Sequence, residues 1–106
     1  MKLLTKEILE KLPPLYTNED TPSEEAKVIV KFFNPCGAGT WYATEFEPET
    51  GTFFGYADLG NPAFAELGYF SLAELESLRL PGGLGIERDL HFGFEHTLAE
   101  VMKNRL

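Results

Sequence analysis

Residues 40–58, TWYATEFEPETGTFFGYAD, decide the fold. Two runs rich in aromatic and β-branched residues, 40–47 and 52–58, flank Pro48, Glu49, Thr50 and Gly51. Turn residues of that length between strand-like runs predict an antiparallel hairpin. Strict alternation puts Tyr42, Thr44 and Phe46 on one side of the first strand and Trp41, Ala43 and Glu45 on the other. Rings are therefore expected on both faces of the sheet.

Upstream, residues 27–33 carry Val28, Ile29, Val30, Phe32 and Phe33 and stop at the turn Asn34-Pro35-Cys36-Gly37, so they read as a strand. Downstream, residues 66–70 add another strand. Ser71 and Glu74 then form a capping box that opens a helix with Leu72, Leu75 and Leu78 inward. Pro81, Gly82, Gly83 and Gly85 bend the chain before residues 86–92, expected as a strand or an extended segment along the sheet. Near the amino end, Leu4, Ile8, Leu9 and Leu12 recur at helical spacing between a cap at Thr5 and a stop at Pro13 and Pro14. Thr97 and Glu100 repeat the capping box ahead of Leu98, Val101 and Met102. Residues 16–25 are polar and acidic, expected as an exposed, mobile connection without chemistry. The whole is an α+β fold in one domain, residues 1–106: a small, mostly antiparallel meander covered on one face by two or three short helices.

Seventeen acidic residues against nine lysines and arginines give a formal net charge of −8, which argues against direct nucleic-acid binding, because gripping phosphates needs clustered positive charge. The lone Cys36 has no partner for an intrachain disulfide, and no Cys/His set has zinc spacing, so no metal is expected. Charge appears within the first few residues and no apolar run reaches membrane-spanning length, which predicts a cytoplasmic protein with no membrane contact. No cofactor is expected. Gly82-Gly83-Leu84-Gly85 has the glycines of a phosphate cradle without the Lys-Ser/Thr that follows them, and reads as a turn.

Three strings stand out: WYATE at 41–45, ELGYFSL at 66–72 with ELE at 74–76, and IERDLHF at 86–92. Together with MKLLT at 1–5 and LPPLY at 12–16, they resemble a family of small bacterial proteins grouped as a domain of unknown function and commonly carried by plasmids, phages and integrative elements. The resemblance spans nearly the whole chain. It implies a setting, accessory proteins of mobile DNA often encoded near replication, partition or antirestriction functions, and no catalytic motif.

Between Lys31 and Arg79 the chain has no lysine or arginine, but it has Glu45, Glu47, Glu49, Asp58, Glu66, Glu74 and Glu76. Gathered on one face, these acids would attract a basic or DNA-binding protein partner, in the limit by mimicking DNA as an antirestriction protein would. Scattered surface acids that keep a small protein soluble are the simpler reading. Rings on a sheet face left open by the helices would supply the apolar part of a contact surface, with Trp41 and Tyr56 as anchors, for a partner or a homodimer. The expected binding surface is thus Trp41, Glu45, Glu47, Tyr56, Asp58 and Glu66.

A second constellation is Glu87, Asp89 and His91, which on an extended strand would share one side and could ligate a divalent metal or act as acid and base, with Arg88 as an anion contact. The structural alternative has Ile86, Arg88, Leu90 and Phe92 on the opposite face, with Arg88 paired to Glu45 or Glu66. No nucleophile arrangement accompanies the triplet, so an interaction or regulatory protein is the leading reading and a small metal-dependent or hydrolytic enzyme the alternative.

Overall fold

A computed structural model describes residues 2–60 and 65–104. The expected hairpin is β2 (Thr40–Glu47) and β3 (Thr52–Asp58), with β1 (Val30–Phe33) on one side of it and β4 (Glu66–Ser71) on the other. Gly51 closes the hairpin turn at φ 70°, a left-handed conformation that glycine adopts without steric cost. A two-residue β5 (Glu87–Arg88) pairs with β1, so the sheet runs β4-β3-β2-β1-β5 with every neighbouring pair antiparallel.

The helices are α1 (Lys6–Lys11), α2 (Leu72–Ser77) and α3 (Leu98–Asn104). The capping residues act as the sequence predicts. Thr5 accepts from the Ile8 amide, Ser71 from the Glu74 amide and Thr97 from the Glu100 amide. Each is only six or seven residues long, so packing rather than propensity holds it in place.

The sequence reading expected the helices on one face of the sheet; they cover both. Leu3, Leu4, Ile8 and Leu12 from the amino end and Leu75 from α2 pack with Val30, Phe32, Ala43, Phe46 and Phe53 against one side of the sheet. Leu98 and Val101 of α3 pack with Ala26, Val28, Tyr42 and Tyr56 against the other. Rings stand on both faces, as alternation predicts, and both faces need cover because apolar area left in water costs about 25 cal/mol per Å².

Strict alternation fails at Thr44. Ala43 pairs with Gly55 and Glu45 with Phe54, leaving Thr44 as the extra residue of a β-bulge whose hydroxyl donates to the Phe54 carbonyl. Beyond the bulge the faces reset. Phe46 joins Ala43 on the α1/α2 side, its ring 4.6 Å from Phe53, while Glu45 turns to the side that holds Tyr42. Gly55 lies opposite the bulge, where a Cβ would overlap the Tyr42 carbonyl oxygen, so only glycine fits.

Candidate functional site

The bulge aims the Glu45 carboxylate at the segment that follows α1. Glu45 is 4% exposed. One carboxylate oxygen accepts the Tyr16 backbone N–H at 3.0 Å and the other the Asn18 N–H at 2.7 Å. The Phe46 amide donates to the Pro13 carbonyl at 2.9 Å, and turn hydrogen bonds from Thr17 to Pro14, Glu19 to Tyr16 and Thr21 to Asn18 complete a strap over this end of the sheet. Residues 16–25 are mostly exposed, as expected from their polarity, and these hydrogen bonds fasten their first half as a strap. The fastening is tight enough to hold Tyr16 at φ 70°, a left-handed conformation that costs a non-glycine residue about 1 kcal/mol.

Tyr16 reaches from the strap to β4, where its hydroxyl shares a hydrogen bond with that of Tyr69. That bond is the first cause that lifts the Tyr69 phenol above its usual 10.0. Desolvation and the charges of Tyr16, Glu45 and Glu19 add to it. Tyr69 remains 57% exposed, with its ring edge-on to Phe54 at 5.2 Å. Between strap and sheet lies a hollow of about 180 Å³ lined by Tyr16, Glu19, Glu45, Phe54 and Tyr69, among others, with no lysine, arginine or histidine among the described residues of its wall.

Tyr69 belongs to an edge. Among the described strands β4 pairs with β3 alone, so its other side carries backbone N–H and C=O groups with no strand beside them. Glu66 at its start and Glu74 and Glu76 in the helix after it are exposed.

The other expected binding residues do not come together. Glu45 is buried under the strap. Tyr56, 9% exposed, is core beneath α3, and Trp41 is half-buried against the opposite cluster, so neither is an exposed anchor. Glu47, at the hairpin end of β2, accepts the Glu49 amide. Asp58 and Glu66 lie at the far end of β3 and β4, about 20 Å away along the strands. The acids of residues 45–76 therefore form no single patch.

The Glu87, Asp89, His91 triplet does not share one strand face either, because β5 ends at Arg88 and residues 90–91 turn. Asp89 pairs with Lys31 at 3.5 Å and accepts the His91 backbone N–H at 2.9 Å. Arg88 donates to the Lys2 carbonyl at 2.6 Å. Among the described residues, no three His, Cys, Asp or Glu side chains are grouped to hold a metal ion. Two clefts of about 560 and 530 Å³ flank residues 88–91, with His91 exposed between them. Asp89 thus ties this segment to β1 and Arg88 ties it to the amino end.

Sequence reading missed Tyr16 and Asn18 as partners of Glu45, and Tyr69 as its neighbour across the hollow. The one signal available was LPPLY, where prolines hold the chain extended just before a tyrosine.

Fold and site together define a class: a small five-stranded antiparallel α+β protein with an open edge strand beside an acidic, ring-lined hollow. The chain belongs to the family described as Protein of unknown function (DUF2958), whose family model matches residues 3–104. No curated protein and no solved structure matches it. Among the described residues, no helix is long and apolar enough to cross a membrane.

Proposed function

We propose that this chain is a non-enzymatic interaction module that pairs a basic, extended segment of a protein partner along the free side of β4, in the mobile-element setting that the family resemblance implies. The observation that carries the reading is the edge itself: six residues of strand with, among the described strands, a neighbour on one side only and Tyr69 exposed on it. An added strand gains main-chain hydrogen bonds along its length, and alternate side chains supply specificity.

Charge selects the partner. The sequence has no lysine or arginine from 32 to 78, and Glu66, Glu74 and Glu76 flank the edge, so a basic strand is attracted and an acidic one repelled. A second copy, carrying the same net charge of −8, is disfavoured at this edge for the same reason.

The test titrates the full chain with peptides as long as β4 that alternate lysine with valine, and with counterparts that alternate glutamate with valine. Amide NMR shifts are followed in each titration. The reading expects salt-sensitive shifts centred on residues 66–71 for the lysine peptide, abolished by Glu66→Lys with Glu74→Lys and Glu76→Lys. Equal response to both peptides, response elsewhere on the protein, or a stable homodimer through β4 would overturn it.

A further inference from the structure

We infer that the hollow between the strap and β4 is a side-chain subsite that takes the cationic head of one lysine or arginine from a strand docked on β4; the inference rests on the edge-pairing reading above. Geometry places them together. A strand added to the free side of β4 sets side chains beside those of β4, with Cβ atoms about 4.5–5.5 Å apart, on alternating faces. Those on the face shared by Tyr69 and Phe54 lie next to the mouth of the hollow.

The wall suits a cation. Tyr16, Phe54 and Tyr69 present rings, whose faces attract ammonium and guanidinium groups, and Glu19 and Glu45 add negative charge. Both backbone N–H groups that Glu45 accepts take one site on each of its oxygens, while a carboxylate offers about four, so acceptor capacity remains. Among the described residues, the wall supplies no cation to satisfy that capacity. The same acids add to a shift at Tyr69, whose phenol is held protonated to higher pH first by its bond to Tyr16, then by desolvation and the Tyr16 charge, and after these by Glu45 and Glu19. A neutral or acidic side chain would find none of these attractions.

The experiment replaces each lysine of the lysine-valine peptide in turn with norleucine, which keeps the aliphatic stem and removes the charge. Each peptide is titrated into the wild-type chain and into Glu19→Gln and Tyr69→Ala. Glu19 is exposed and carries no side-chain ion pair among the described contacts, so its replacement leaves the fold unchanged. One norleucine position is expected to bind about threefold to tenfold more weakly than the others, with that difference reduced in both variants. Equal affinity at every position, with β4 still responding, overturns the subsite and leaves the edge reading standing. Failure of every peptide to reach β4 overturns the edge reading and the subsite with it. An arginine replacement at the sensitive position is expected to retain binding, and its loss would overturn a subsite selected by charge.

Discussion

Replacing Glu45 with glutamine removes one charge and almost no volume, so its effect isolates the fastening of the strap. The carboxylate accepts two backbone N–H groups, one on each oxygen, from Tyr16 and Asn18. Glutamine keeps one acceptor and turns its NH₂ toward the other donor, so one bond is lost and two donors face each other. A hydrogen bond to a charged acceptor contributes about 1.5–3 kcal/mol, and an amide is easier to bury than a carboxylate, which returns part of that. The expected loss is about 2 kcal/mol, a large share of the roughly 5–15 kcal/mol that holds a domain of this size. There is also a ceiling. Residues 13–20 carry no fully buried side chain, so once the defect costs more than lifting the strap, the strap opens and water solvates the donors. Urea unfolding measures the global term, as a lower midpoint at an unchanged slope. Amide exchange measures the local one, as lost protection at Tyr16 and Asn18. A midpoint shift worth less than about 0.5 kcal/mol, with both amides still protected, would refute the claim that this carboxylate fastens the strap.

Gly55→Ala places a methyl group into the Tyr42 carbonyl across the bulge, where backbone rather than a flexible side chain must yield, so a loss of about 3 kcal/mol or more is expected in thermal or urea unfolding. A variant as stable as the parent would show that β2 and β3 do not approach this closely. Ultraviolet titration should find the Tyr69 phenol ionising above 10.0, with Tyr16→Phe bringing it back toward that value, because the hydroxyl bond to Tyr16 is the leading cause. Since the folded state holds this proton to higher pH than the unfolded chain does, stability should fall as pH rises through 10.0, and by less in the variant.

The meander was legible because local chemistry and final structure agree there. The runs at 40–47 and 52–58 are the observed β2 and β3, and Thr5, Ser71 and Thr97 cap the helices they precede. Periodicity misplaced Phe46 and Glu45 because a bulge breaks the period by one residue, and nothing in Ala43-Thr44-Glu45 announces it. The strap was illegible for a related reason. Glu45 is one acid among seventeen, and its burial depends on Tyr16 and Asn18, nearly thirty residues earlier in the chain. The stretch 86–92 alternates as a strand should, yet ladder pairing ends after two residues because Asp89 turns the chain by accepting the His91 N–H.

The bulge also determines where this family can tolerate a change of length. Deleting Thr44 would bring Ala43 and Glu45 into consecutive rungs opposite Gly55 and Phe54, and every other side chain of β2 would keep its side. A deletion at a regularly paired position of β2 would instead turn part of the strand inside out. Relatives one residue shorter in this region should therefore carry their gap at position 44, and aligning them there preserves the buried glutamate as a shared column.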